Sequence, residues 1–561
     1  MYFSDNGLLA AIKQRAGSGL LEAREPVERK LYVKLHRDAI VPMSDYLFNE
    51  VGARFLITSG TDRRATMGAF EINHIFAMDE EHGYVCLVTE VDPDDAKIQS
   101  ITPVIPGAGW AEREFRDVIG VEPVGHPDPR RLVLSDDWPE GVHPLRRDLP
   151  HDYKPPADSR ARVQLKEPPA GATVLPIGPF FPVLEEPAQL RLFVDGERVV
   201  GCDYRGFYNH RGIEKMGDTI LTYNEIPFLA ERICGICGFI HSTCYCQAVE
   251  EAAGITPPPR ARYIRSIMLE LERVHSHLLW MGIAMHIIGF DTLLMQTWRI
   301  REPIMWLAEQ ISGNRKTYGM NIIGGVRRDI PKELHGKVLE VLQQIEKETL
   351  AVADALPGDS TIMLRLREVG PLTHEHARAM CAVGPTVRGS GHPRDARVDH
   401  PYAAYAELVP KVCYHDEGDV LARTLVRVEE TFDSIRLIRE GLAEMPDGPT
   451  MAPIEEIPAG REGISAVEAP RGESVHYVLT GEDNRPERWR VRAPTYPNLQ
   501  CIPAMVQDQQ IADVPITLGS IDPCFSCTER VEVVDVKNQG KRIYSHEELL
   551  ALSREKGERR R

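Results

Sequence analysis

Two Cys-x-x-Cys pairs constrain this chain more than any other feature. Cys234-Gly235-Ile236-Cys237 and Cys524-Phe525-Ser526-Cys527 each space two thiols so that both sulfurs can face one ion. One pair alone is compatible with a redox dithiol. Two pairs suggest four thiolates around one centre, which favours zinc, iron–sulfur or another soft metal over calcium or magnesium. The separation of about 290 residues is unlike a structural zinc module, which draws both pairs from one short segment. A fold that uses all four must bring distant segments together.

The chain is long enough to do so. Its 561 residues exceed one ordinary core and imply two to four domains. Eleven cysteines are too few for a disulfide scaffold and odd in number, so they read as reduced thiols of a cytosolic protein. A net charge of −17 argues against bulk electrostatic capture of nucleic acid or an anionic membrane. The N-terminus lacks the apolar run of a secretory signal, and no stretch reaches the roughly 18 apolar residues of a membrane helix. Membrane attachment, if it occurs, is expected through partners.

Composition divides the chain. Residues 1–150 mix helical patterns with strand-like runs such as Gly83–Thr89 and Arg131–Leu134, an α/β segment. A Pro-rich linker is expected over 151–172. From 173 onward a hairpin is predicted at Gln189–Val194 and Glu197–Gly201, around Asp195-Gly196. Tyr263–Met285 carries Ile264, Ile267, Met268, Leu271, Val274, Leu278 and Met281 at helical steps, one apolar stripe of an amphipathic helix interrupted at Gly289. Lys332–Leu356 and Val420–Met445 repeat the pattern, and 447–500 is strand-like. The expected class is α+β, an N-terminal α/β domain beside a large helical bundle with peripheral strands.

The residues around the pairs narrow the reading. Arg232 to His241 reads R-x-C-G-x-C-x-x-x-H, and Asp522 to Arg530 reads D-P-C-x-x-C-x-x-R. Together these resemble the two signatures of nickel–iron hydrogenase large subunits, and the closing arginine is similar to the energy-converting, membrane-associated branch. Trp110–Gly120, Gly125–Pro129, Asp136–Trp138 and Pro144–Asp148 resemble the 30-kDa subunit of respiratory complex I. The chain from Gly178, including His210–Lys215, resembles its 49-kDa subunit. Both parts fused, with both cysteine pairs kept, look most like formate-hydrogenlyase-type large subunits; complex I lacks those thiolates.

That resemblance implies a hydrogenase interconverting protons plus electrons and H2, with a nickel–iron centre whose iron carries carbon monoxide and cyanide. By motif position Cys234 and Cys524 would be terminal to nickel, while Cys237 and Cys527 would bridge nickel to iron. His241 would donate to a bridging sulfur. Arg471, in Glu468–Gly472, would place positive charge over the metals, and Pro494 and Thr495 would approach the cyanide. Glu185, one residue from Glu186, would relay protons. Glu214 would hold an accessory magnesium or iron, whose usual histidine partner is Arg530 here, or else form a surface salt bridge. Phe181 replaces a histidine of the quinone-linked relatives.

A C-terminal endopeptidase would cut after Arg530, releasing 531–561 and leaving 173–530 as the metal-holding domain. Maturation proteins, a small iron–sulfur subunit carrying all the clusters, further electron-transfer and membrane subunits, and a formate dehydrogenase are the implied partners. Attachment would be peripheral, on the cytoplasmic face of the inner membrane. A quinone-linked, nickel-free scaffold and a structural zinc protein are the rival readings. His275 and His277 are expected to pack the bundle, and Cys244 and Cys246 diverge on a helix. Cys86, Cys202, Cys381, Cys413 and Cys501 lack metal spacing and read as buried thiols.

Overall fold

The computed structural model describes residues 3, 7–156, 164–178, 187–208, 210–454 and 456–525, with a strand pair at 534–535 and 540–541. Its class is α+β. The N-terminal sheet comprises β1 (Leu20–Val27), β2 (Lys30–Leu35), β3 (Arg54–Arg63), β4 (Ala69–Met78) and β5 (Gly83–Val91). Their order is β1-β2-β5-β4-β3, antiparallel throughout except for the parallel β2–β5 pair. The predicted strand at Gly83–Thr89 is β5. Helix α1 (Gly109–Ile119) packs on β3.

Arg131–Leu134 is not a strand. The amide groups of Leu132, Val133 and Leu134 all donate to one carboxylate oxygen of Asp117 in α1, at 2.8, 2.8 and 3.2 Å. A ladder needs those donors. The carboxylate wraps the backbone into a turn instead.

No helix or strand forms over 151–156 or 164–172. Then come β6 (Thr173–Ile177), β7 (Gln189–Asp195) and β8 (Arg198–Arg205), the last two forming the predicted hairpin with a bulge near Gly201. After α2 (Ile213–Thr219), the large region is built on α3 (Gly238–Ala253), α4 (Pro259–Ile287), α5 (Asp291–Ser312), α6 (Lys332–Ala355) and α7 (Val420–Glu444). Gly289, at φ 95°, breaks the chain between α4 and α5. A three-stranded sheet, β9 (Glu462–Ala469), β10 (Gly472–Thr480) and β11 (Pro486–Arg492), precedes the short α8 (Thr495–Gln500).

The apolar positions predicted on α4 all enter the main core. Its polar side is buried too, contrary to the single stripe expected. Glu270 bonds Arg273 and Arg397, Arg265 pairs with Glu250, and His277 meets Glu430 at 2.9 Å. Complementary charges from neighbouring elements admit this face to the interior, where unpaired ions would be prohibitive.

The two regions join through β11. β3 pairs with β4 along one edge only. Along the other, the carbonyls of Gly60, Thr58 and Leu56 accept the Nε–H groups of Arg488, Arg490 and Arg492 at 3.0, 3.1 and 3.2 Å. Alternate residues of one strand thus meet alternate residues of another, as the period of two requires. Arg490 forks onto Glu114 of α1 at 2.6 and 2.7 Å.

Candidate metal centre

Cys234 and Cys237 lie in the turn preceding α3, with Cys237 immediately before its first residue. The chain then travels through the bundle and back, and Cys524 returns to within 3.2 Å of Cys234, sulfur to sulfur. Cys237 Sγ is 3.0 Å from Cys234 Sγ. The amides of Ile236 and Cys237 point at Cys234 Sγ from 3.4 and 3.3 Å, which favours its thiolate form. The bond to Cys234, together with burial, pushes the Cys237 thiol up. Cys527 lies outside the described residues. Among those described, no three His, Cys, Asp or Glu form a metal-holding group by themselves.

His241 sits on the first turn of α3, fully buried. Burial lowers its pKa to about 4 and that of His476 further, so both rings are neutral near pH 7. The tautomers then follow from the bonds. Trp489 Nε1–H donates to His476 Nδ1 at 3.1 Å, leaving the His476 proton on Nε2. That nitrogen lies 3.2 Å from His241 Nδ1 and donates to it. The His241 proton is therefore on Nε2, which has no hydrogen-bond partner among the described residues. A buried, oriented donor without an acceptor among the described residues, within electrostatic reach of Cys234, fits an anionic sulfur or its metal.

Arg471 occupies the two-residue turn Pro470-Arg471 between β9 and β10. Gly384 and Gly472 make this hairpin's seat: a Cβ on Gly384 would fall 2.3 Å from Gly472 Cα. Arg471 Nε donates to Asp522 O and a terminal nitrogen to Asp522 Oδ1, both at 2.7 Å; a third bond goes to Ser276 Oγ at 3.1 Å. Its pKa is raised: Asp522 and the three described thiols outweigh burial. Thr495 Oγ1 accepts the Cys524 amide at 3.2 Å, and Pro494 is buried beside it. The hydroxyl therefore engages the second cysteine pair directly.

Other predicted residues fall elsewhere. Glu185 and Arg530 lie outside the described residues. Glu214 accepts from Arg488 and Arg490, at 2.6 and 2.9 Å, and from the Val491 amide at 3.0 Å. Its carboxylate neutralises β11 arginines, an arrangement that leaves little for an accessory ion. His275 Nε2 meets Ile236 O at 3.1 Å, so this histidine steadies the first cysteine turn. Cys244 Sγ donates to Ser465 O at 3.1 Å.

Sequence reasoning passed over Asp522, although it stands in the quoted motif, and gave no role to Ser276, His476 or Trp489. It also missed Glu272, which accepts from the Phe239 and Ile240 amides at the start of α3 and from Thr317 Oγ1. Burial pushes its carboxyl up to about 8. Nothing local in LERVHSH marks it.

Comparison with known proteins places these features. The model for the 30 Kd subunit of respiratory-chain NADH dehydrogenase matches residues 33–155, and that for its 49 Kd subunit matches 288–459 and 454–530. The nickel-dependent hydrogenase model matches 211–290. Formate hydrogenlyase subunit 5 of Escherichia coli is 40% identical over 98% of this chain and 97% of its own length. Hydrogenase-4 component G of the same organism is 39% identical over 97% and 96%. Membrane-bound hydrogenase subunit alpha of Pyrococcus furiosus is 42% identical over 68% of this chain and 92% of its own.

Proposed function

Because the chain belongs to the nickel-dependent hydrogenase large subunits of the formate hydrogenlyase type, we propose that it is the catalytic subunit of an H2-evolving complex. The observation that carries this reading is the meeting of Cys234, Cys237 and Cys524 within electrostatic reach of Arg471, together with a His241 donor that has no partner among the described residues. Soft sulfur donors and an orphaned N–H suit a nickel–iron centre. When bound, that centre supplies the redox chemistry joining two protons and two electrons.

The protein's part is positional. Cys234, Cys237, Cys524 and Cys527 would together hold the centre, Cys234 and Cys524 as ligands of nickel and Cys237 and Cys527 as ligands shared with the iron, which would carry carbon monoxide and cyanide. His241 Nε2–H would donate to a sulfur of the bound site and stabilise its charge. Arg471 holds positive charge against an electron-rich group, anchored by Asp522 so that no reorganisation is needed. Pro494 and Thr495 shape the wall behind Cys524. Glu185 carries protons from a terminal thiol.

Electrons arrive through another chain. The seven cysteines outside the two pairs are buried as free thiols, and Cys244 is committed to a backbone carbonyl. A small iron–sulfur subunit is the required partner, with further electron-transfer subunits and a formate dehydrogenase as the electron source. No described helix is long and apolar enough to cross a membrane, so membrane subunits would hold the complex at the cytoplasmic face. Maturation proteins load the metals, and cleavage after Arg530 completes the site.

Metal analysis of the purified complex tests this. About one nickel per chain is expected, lost in Cys234→Ser and Cys524→Ser. One zinc without nickel, or a metal-free competent complex, would overturn it. Intact mass checks the cleavage, and an active nickel-loaded chain still carrying residues 531–561 would disprove that step.

A further inference from the structure

We propose that the N-terminal region, through β3 and α1, sets the geometry of the metal cleft by gripping residues 488–500 on β11 and on α8, with Glu114 and Arg490 as positioning residues. The proposal rests on the metal reading above and gives the N-terminal region a task at that site.

The first grip is the arginine ladder on the free edge of β3. Each guanidinium also meets a carboxylate: Arg488 meets Glu214 and Asp218, Arg490 meets Glu114 and Glu214, and Arg492 meets Glu473. Because the ladder uses every second residue of both strands, a one-residue slip of β11 would remove all three Nε bonds at once. The second grip is on α8. Tyr496 Oη donates to Glu114 at 2.6 Å, so one carboxylate of α1 holds both the β11 and the α8 part of the segment. Gln500 accepts from the Trp110 amide and donates to Gly107 O, both at 3.2 Å.

Between the grips stand the residues that touch the cleft. Thr495 holds the Cys524 amide. Asn498 Nδ2 donates to Arg471 O and to Val383 O, both at 3.2 Å. One short segment, fixed at each end by the N-terminal region, therefore sets the backbones of a metal-ligand cysteine and of the arginine above it. Displacements well under an ångström matter at such a centre.

The test uses the intact complex. Glu114→Gln preserves shape but removes the charge that holds Arg490 and Tyr496. Nickel content is expected to stay near one per chain, while the nickel paramagnetic resonance signal shifts and kcat falls on the order of tenfold with KM unchanged. Thr495→Val should shift the signal in the same direction, and Thr495→Ser, which keeps the hydroxyl, should restore it. A native signal in Glu114→Gln would overturn the proposal. If that variant fails to assemble, Gln500→Ala removes only the outer bonds; a shifted signal then supports the grip and an unchanged one overturns it. Absence of nickel from the unsubstituted complex would sink the metal reading itself, a failure seen before any substitution is made.

Discussion

Two buried arginine clusters, the ladder of β11 and the cleft around Arg471, behave differently. In the ladder, the side-chain nitrogens of Arg488, Arg490 and Arg492 all find partners, and so do the carboxylates of Glu114 and Glu214. In the cleft, Arg471 is fully bonded, but His241 Nε2, Asp522 Oδ2, and Nε and one terminal nitrogen of Arg427 have no hydrogen-bond partner among the described residues. Both regions are equally dry. A buried polar group left unmade costs roughly 1–3 kcal/mol, so a cluster of them at one point marks a place completed by something else. The ladder is finished by the chain itself; the cleft is not.

The sharpest way to break this contrast is at the sulfurs. Cys234→Ser and Cys524→Ser should abolish nickel binding and H2 turnover. The loss should exceed the roughly 10–100-fold cost of removing an outer partner. Retention of nickel in either variant, measured by elemental analysis, would mean that the orphaned groups serve another ligand.

Arg471→Lys probes the charge above the sulfurs. Lysine keeps the charge but cannot reproduce the fork that reaches Asp522 O, Asp522 Oδ1 and Ser276 Oγ. Turnover should fall on the order of 10²-fold, as when one preorganised electrostatic donor is lost, while nickel is retained. Equal losses of nickel and turnover would instead make Arg471 a structural residue like those of the ladder.

On the ladder side the expected effect is stability. Burial alone would raise the Glu214 carboxyl, but Arg488, Arg490 and the Val491 amide overcome it and hold the pKa at about 2. A folded pKa below the unfolded one contributes stability above the unfolded value, near 4.5, and loses it as pH falls through about 2. Burial raises neighbouring Asp218 to about 7, against Arg488 and Arg147, so its ionisation opposes folding as pH rises from 3.8. Comparing Glu214→Gln with the unsubstituted chain isolates the first effect. The variant should be less stable by roughly 3 kcal/mol near pH 7, the cost of breaking a buried pair. The gap in unfolding temperature should close between pH 4.5 and 2. A pH-independent gap would exclude the charge as its cause.

The contrast also explains what was legible. Cysteine spacing is a local property, so Cys234, Cys237 and Cys524, which the fold brings together, could be picked out from motifs, and the main helices followed from their periodicity. The period-two arrangement of Arg488, Arg490 and Arg492 was equally present, but its meaning depends on carbonyls of β3, which stand more than 400 positions earlier. Backbone acceptors have no sequence signature. Glu214 consequently suggested an accessory ion, because a lone carboxylate in a motif does not disclose arginines from a distant strand. Arg131–Leu134 failed for a related reason: β-propensity was overridden by the single carboxylate of Asp117. The His241 tautomer required Trp489 and His476, each separated from it by more than 200 residues.

The smallest effect tests the rule where sulfur chemistry alone would mislead. Cys244 lies on α3, seven positions after Cys237, and its thiol is buried like those of Cys234, Cys237 and Cys524. Burial pushes its pKa to about 12, so it remains protonated, and the proton is used in the bond to Ser465 O. A thiol that is neutral and already partnered has nothing to offer a metal. Serine can make the same bond at slightly shorter reach. Cys244→Ser should therefore leave nickel content and turnover within error and change stability by no more than about 1 kcal/mol. A loss of nickel here, read by the same elemental analysis, would show that satisfaction of buried groups does not separate the metal-facing thiols from their neighbours on α3.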